Sequence, residues 1–210
     1  LLLIFVLFFG AHVLHSLNKV QDSTVARPSK SKCDVGVAHA IYVNLDRRID
    51  RRETIEAELR AARIPFVRLN ASEGNSNMPK ACTHGIDKCR GMIGCKLSHV
   101  RALDIAIRED WQHVAIFEDD FAWSENLQVE WIQEMLCLVQ QNVSNWNVIA
   151  LSVNLLEHAI FPHSVDLGAH ANDRQVIRVY DAKATHGYIV NREYFHVVKI
   201  DNSDRAGIDI

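Results

Sequence analysis

The chain has 210 residues, 48% apolar and 23% charged, with 23 Lys+Arg against 26 Asp+Glu. That length suits one α/β domain, or one domain with a short extension, and the composition excludes collagen-like, coiled-coil and wholly disordered chains. A formal net charge of −3 gives no global basis for binding nucleic acid, and five Cys are too few for a small disulfide scaffold, their odd number leaving at least one thiol unpaired within a monomer.

In chain order, residues 1–17 read LLLIFVLFFGAHVLHSL and are almost wholly apolar. Such a run reads as a signal peptide or a membrane anchor, with a buried core strand or helix as the weaker alternative. No small-x-small cleavage site stands out between Ser16 and Ser23, which favours an uncleaved anchor. The start at Leu1 and the stop at Ile210 read as those of a piece of a longer product. Residues 18–37, with Ser23, Pro28, Ser29 and Ser31 among scattered basic residues, read as a stem or linker. The globular domain is expected over residues 38–210.

Within it, His39–Leu45 is a short apolar run, expected as a buried strand. Asp46–Arg63 carries Ile55, Leu59 and Ala62 at helical spacing, with Asp46 or Asp50 as candidate cap. Pro65–Leu69 reads as a strand and Asn70–Arg90 as a loop. Met92–Ile107 reads as a helix whose apolar face carries Ile93, Leu97, Val100, Leu103 and Ile107. His113–Phe117 reads as a strand, Leu127–Val139 as a helix, Asn147–Ser152 as a strand and His158–Asn172 as an irregular loop. Val176–Tyr180 and His186–Val190 read as further strands, and Arg192–Val198 as a short helix. This alternation predicts an α/β fold with a mostly parallel sheet flanked by helices.

The strongest chemical signal is the strand Val114–Phe117 running into Glu118-Asp119-Asp120. Adjacent acids oppose joint ionisation, and a bound hard cation relieves the repulsion. In an extended chain Glu118 and Asp120 share one side, and the C-terminal end of a parallel strand is where open α/β sheets bind ligands. The plain alternative is a solvated acidic turn capping the next helix. A second signal is Gly91-Met92-Ile93-Gly94, with Cys95, Ser98 and His99 following. Glycines in a turn before a helix let backbone N–H groups approach a phosphate, and His99 is placed to hydrogen-bond a substrate or carboxylate. Here the alternative is a tight turn, a small buried Cys95 and a satisfied core histidine. A third is Asn44-Leu45-Asp46-Arg47-Arg48 at the end of the first domain strand, a natural nucleotide position. Arg51 and Arg52 read better as a solvated face paired with Glu53 and Glu56.

Cys82, His84, Cys89 and Cys95 fit no standard zinc spacing, and a Cys82–Cys89 disulfide in an oxidising lumen is the better expectation. Cys137 reads as core. Asn70-Ala71-Ser72 and Asn142-Val143-Ser144 are glycosylation sequons that would sit at the surface of a secretory protein.

These pieces form an ordered set. Ile41-Tyr42-Val43-Asn44-Leu45-Asp46-Arg47-Arg48 with Arg51-Arg52, then Pro65-Phe66, Gly94-Cys95-Lys96-Leu97-Ser98-His99, Ile116-Phe117-Glu118-Asp119-Asp120 and Gly187-Tyr188-Ile189-Val190-Asn191-Arg192 resemble glycosyltransferase family 25. Gly207-Ile208-Asp209-Ile210 is similar to that family's closing Pro-Val-Asp segment. The resemblance implies a GT-A-like, Rossmann-type fold and an inverting transferase. The implied donor is a UDP-sugar, with galactose expected, the acceptor a hydroxyl on a glycan or glycoprotein, and the cofactor Mn²⁺ or Mg²⁺. The acidic triplet would be the DxD-like site, with Asp120 and Glu118 on the metal. Asn44, Arg48, Gly94, Ser98, His99, Glu118 and Asp119 would face the nucleotide sugar. Transfer needs the leaving diphosphate neutralised and the acceptor hydroxyl deprotonated. Asp120 would serve the first need and Asp209 the second, with Glu157 and Asp181 as alternative bases. The expected location is the secretory pathway, anchored by the N-terminal segment with a lumenal domain in the Golgi or endoplasmic reticulum, or secreted if that segment is cleaved. A metal-dependent phosphohydrolase and a non-catalytic, membrane-tethered glycan- or nucleotide-binding module are the alternatives from other classes.

Overall fold

The computed structural model describes residues 3–8, 37–74, 86–123, 136, 146–154, 174–179 and 183–204, with side chains described over 37–74, 89–123, 136, 146–151 and 186–199. Among the described residues, seven strands form one sheet: β1 (Leu3–Phe8), β2 (Ala40–Asn44), β3 (Phe66–Asn70), β4 (His113–Glu118), β5 (Val148–Asn154), β6 (Arg174–Val179) and β7 (Lys183–Asn191). The order across it is β3-β2-β4-β7-β5-β1-β6. Among the described residues the helices with defined bounds are α1 (Ile49–Ala61), α2 (Ile86–Arg108) and, after a 3₁₀ turn at Arg192–Tyr194, α3 (Phe195–Asp204), and Leu136 is helical as well.

The α/β expectation holds, but the sheet is mixed rather than mostly parallel. β2 runs parallel to β3 and β4, and β1 to β5; β7 is antiparallel to both β4 and β5, and β6 to β1. Hydropathy alternation carries no sign of strand direction, so it could not register this. Leu3–Phe8, in the stretch that reads as a targeting segment, is a strand of this sheet. No helix among the described residues is long and apolar enough to cross a membrane.

β4 lies in the sheet interior as its apolar run predicts, and Val114, Ala115, Ile116 and Phe117 have no exposed surface. Its residues alternate between two cores, as a strand covered on both faces must. Ala115 and Phe117 join Ala40, Tyr42 and Ile189 beneath Ile55 and Leu59 of α1 and Ala62 at its C-cap. Val114 and Ile116 join Ile41, Val43 and Tyr188 beneath Ala102, Leu103 and Ala106 of α2 and Phe195 and Val198 of α3.

Helix α1 buries the face its spacing predicts, but neither candidate aspartate caps it. Its N-cap is Arg48, with no side-chain cap bond, and Asp50 sits in the first turn beside the positive end of the helix dipole. The Asp46 carboxylate instead accepts from Asn70 Nδ2 at 2.8 Å and from Arg68. The helix stops because Arg63 turns left-handed (φ 52°), letting the Ile64 N–H reach Leu59 O and the Arg63 N–H reach Arg60 O, both at 3.0 Å.

Helix α2 departs further from expectation. It begins at Ile86, so Gly91 and Gly94 lie inside the helix and not in a turn before it. Its buried face is also rotated. Leu97 is exposed, while Lys96, Ser98, His99, Ala102, Leu103 and Ala106 are buried. Gly94 is needed for close approach, because a Cβ there would stand 2.3 Å from Ser72 O. Ser98 pins the same contact, its hydroxyl donating to Gly94 O at 2.6 Å and accepting from the Ser72 N–H at 2.8 Å.

The expected helix 127–139 (apart from Leu136), the expected loop 158–172, the sequon at Asn142, Cys82, His84 and Cys137 lie outside the described residues, as do Asp209, Glu157 and Asp181. Asn70 of the other sequon closes β3 and is exposed. Cys89 is disulfide-bonded, and Cys95 is a free thiol.

Candidate functional site at the carboxyl ends of β2 and β4

The parallel pair β2 and β4 end side by side, which brings Asn44 next to the acidic triplet that follows Phe117. Because β7 runs the other way, its beginning meets β4's end: Gly187 pairs with Phe117, and His186 arrives beside the same acids. A fully parallel sheet would have carried His186 to the opposite edge.

An open cleft of about 500 Å³ lies here. Among its lining residues are Asn44, Arg47, Arg90, Cys95, His99, Glu118 and Asp119, together with Ser72–Gly74 and Gly91.

Asn44 is 1% exposed and spends its side chain within the protein. Its Nδ2 donates to Asp119 Oδ2 at 2.9 Å and to Arg48 O at 3.0 Å, and its Oδ1 accepts from Arg68 Nε at 3.2 Å. Asn44 therefore fixes Asp119 in place. Arg51, expected on a solvated face, turns inward: its NH1 lies 2.9 Å from Asp119 Oδ1 and 3.2 Å from Asp120 Oδ2. One cation thus offsets part of the repulsion within the triplet. Arg48, expected at the nucleotide, instead forks onto Asp50, with Nε–Oδ1 at 3.0 Å and NH2–Oδ2 at 2.7 Å. Arg47 and Arg90 are the arginines at the cleft. Gly94 and Ser98, read as nucleotide contacts, are occupied with packing α2 against the Ser72–Gly74 loop.

Glu118 sits between two histidines. Its Oε1 is 3.5 Å from His99 Nε2 and accepts from the Cys95 thiol at 3.3 Å, while its Oε2 is 3.7 Å from His186 Nδ1. Burial pushes the Glu118 carboxyl up, but His99, Cys95 and His186 together outweigh burial and hold it below the usual glutamate value. Burial, and then the Glu118 charge, push the Cys95 thiol far up, so it stays protonated as the donor. His99 has no exposed surface, and its Nδ1 lies 2.7 Å from the Tyr188 hydroxyl. Burial likewise keeps the Tyr188 phenol protonated.

His186 Nδ1 also lies 3.0 Å from Asp120 Oδ1. Carboxylate oxygens of Glu118 and Asp120 and a ring nitrogen of His186 all lie within 4.8 Å of one another, so the three can converge on one ion. Two hard oxygens with one imidazole fit Mn²⁺ better than Mg²⁺, which prefers oxygen throughout. The acidic triplet and Asn44 were legible from the sequence. His186 was read only as the start of a strand, Arg51 as facing solvent and Cys95 as a small buried residue; strand direction and helix phase bring all three to the acids.

The family model for glycosyltransferase family 25 (LPS biosynthesis protein) matches residues 38–197. The chain is 27% identical over 166 residues to a Bos taurus protein named "Probable inactive glycosyltransferase 25 family member 3", covering 69% of this chain and 27% of that protein. It is 26% identical over 141 residues to the Homo sapiens "Inactive glycosyltransferase 25 family member 3", covering 60% of this chain and 24% of that protein. The chain thus spans about a quarter of the length of these curated relatives.

Proposed function

The chain belongs to glycosyltransferase family 25, and from that premise we propose that its cleft takes a UDP-sugar, UDP-galactose first, and passes the sugar with inversion to a hydroxyl of a glycan or glycoprotein, assisted by Mn²⁺ or Mg²⁺. The observation that supports this most is the convergence of Glu118, Asp120 and His186 beside a cleft whose wall carries Arg47 and Arg90. When bound, a divalent ion there would neutralise the leaving diphosphate. Arg90 and Arg47, the latter now paired with Glu73, carry guanidinium donors suited to phosphate oxygens. Asn44 and Arg51 hold the Asp119 carboxylate in place beside Glu118 and Asp120. The acceptor's base is assigned to Asp209, with Glu157 and Asp181 behind it. The Cys89 disulfide supports an oxidising, lumenal compartment, and a membrane tether through residues 1–17 belongs to the same proposal.

A second reading has its own support. The matched relatives carry the word "inactive" in their names, and Arg51 already engages Asp120, a carboxylate that an ion needs. Under that reading the cleft binds a nucleotide sugar without turning it over.

UDP release from UDP-galactose by the full-length protein, with and without Mn²⁺, separates the two. Transfer predicts Mn²⁺-dependent turnover that Asp120→Ala reduces at least 100-fold, with the melting temperature little changed because Asp120 is half-exposed. Binding of UDP-galactose with no turnover selects the second reading. A lowered melting temperature with unchanged turnover removes the metal assignment.

A further inference from the structure

We propose that Cys95, His99 and Glu118 form a binding site for Zn²⁺ inside the cleft, made by Cys95 Sγ, His99 Nε2 and Glu118 Oε1. This does not rest on the transfer reading, because the three side chains converge whether or not the domain turns over a sugar.

The first observation is an orphaned atom. Nε2 of His99 is buried and makes no hydrogen bond, although the ring has no exposed surface. It faces the Glu118 carboxylate and the Cys95 thiol, all three atoms lying within 4.8 Å of one another. The second is spacing. Around a tetrahedral zinc with bonds of about 2.0–2.3 Å, neighbouring ligand atoms stand roughly 3.3–3.8 Å apart. Two of the three edges already match: Cys95 Sγ to Glu118 Oε1 is 3.3 Å, and His99 Nε2 to Glu118 Oε1 is 3.5 Å. The third is chemistry. One sulfur, one imidazole nitrogen and one carboxylate oxygen are the zinc ligand types, whereas a thiolate is a poor partner for Mg²⁺ or Mn²⁺.

The surroundings support the site. Cys95 and His99 are four residues apart on α2 and so share one helix face. Tyr188 orients the ring from behind through Nδ1 at 2.7 Å, the outer contact that zinc-bound histidines usually have. All three residues line the cleft, so the fourth corner of the tetrahedron is left to water or a ligand. The Cys95 thiol proton leaves to solvent and sulfur donates as thiolate. The imidazole binds as the neutral ring: Nδ1 keeps its proton and donates it to the Tyr188 oxygen, any proton on Nε2 leaves to solvent, and the Nε2 lone pair takes the ion.

Cobalt(II) titrated into the full chain is the test, because a sulfur ligand gives a near-ultraviolet charge-transfer band and four-coordination gives intense visible bands. The expected result is one cobalt per chain with both signals, bleached by equimolar Zn²⁺. Cys95→Ser should abolish the charge-transfer band, and His99→Gln should weaken Zn²⁺ binding at least tenfold in competition with a chromophoric chelator. Asp120→Asn should leave the band in place, which separates this site from the one that Asp120 shares with His186. Absence of the band in the wild type, its persistence in Cys95→Ser, or its loss in Asp120→Asn would each overturn the proposal. Should His99→Gln fail to fold, the near-isosteric Cys95→Ser decides alone.

Discussion

The imidazole of His99 and the phenol of Tyr188 lie nearly parallel, planes 8° apart and centroids separated by 5.6 Å, with Nδ1 and the hydroxyl at 2.7 Å. This contact joins α2 to β7 across the second core and fixes the histidine that faces Glu118. Tyr188→Phe keeps the ring and deletes the hydroxyl, leaving Nδ1 buried without a partner. The expected cost is about 1–3 kcal/mol in urea unfolding. An unchanged midpoint would mean that the hydroxyl carries no stability.

Arg51 should act on the acids more than on the fold. It is partly exposed and pairs with Asp119 and Asp120. Arg51→Gln is therefore expected to change stability by less than about 1 kcal/mol. It should also raise Mn²⁺ affinity about threefold or more, since a competing cation is removed from the carboxylates. Calorimetric Mn²⁺ titration of both proteins checks this; equal or weaker binding in the variant would show that Arg51 aids the site.

Gly187 occupies a place where no side chain fits. A Cβ there would lie 2.6 Å from Phe121 Cδ2 and 2.9 Å from Phe117 Cδ1, within an aromatic group in which Phe117, Phe121 and Trp123 meet edge to face. Gly187→Ala should cost about 1–3 kcal/mol through overpacking. Phe121→Leu in the same chain should recover part of that loss, and a double-mutant cycle by thermal melting measures the coupling.

Asp50 offers a pH-dependent readout away from the cleft. The fork of hydrogen bonds from Arg48 lowers its carboxyl from 3.8 to about 2. Because the folded value is depressed, its stabilising contribution is complete above pH ~4 and disappears as pH falls through about 2. Carbon-detected NMR titration should find this value in the wild type and a return toward the ordinary aspartate range in Arg48→Gln. A normal titration in the wild type would dismiss the fork in solution.

How far the sequence could be read depended on what each signal encodes. The face of α1 was legible because Ile55, Leu59 and Ala62 are apolar and buried, and β4 because four apolar residues in a row suit a strand covered on both sides. The face of α2 was misphased for the opposite reason. Ser98 and His99 are polar but buried with partners, while Leu97 is 44% exposed, so a hydropathy stripe points the wrong way. In the site, the triplet and Asn44 stood out because they follow strand runs. His186 stayed hidden because its relation to them depends on the direction of β7, which neither composition nor periodicity carries.

The place of β7 in the sheet also sets a timetable. Among the described residues, β3, β2 and β4 on one side and β5, β1 and β6 on the other pair with each other only through β7, which follows all of them in the chain. A chain cut before residue 183 would therefore keep strand pairing only within two groups, each ending in an open edge of unpaired backbone at β4 or β5. Such a chain would be open to edge-to-edge association until β7 slots between the two groups. The step that closes the sheet is the same one that delivers His186 to Glu118 and Asp120, so the site's acids wait for their histidine until translation has passed it.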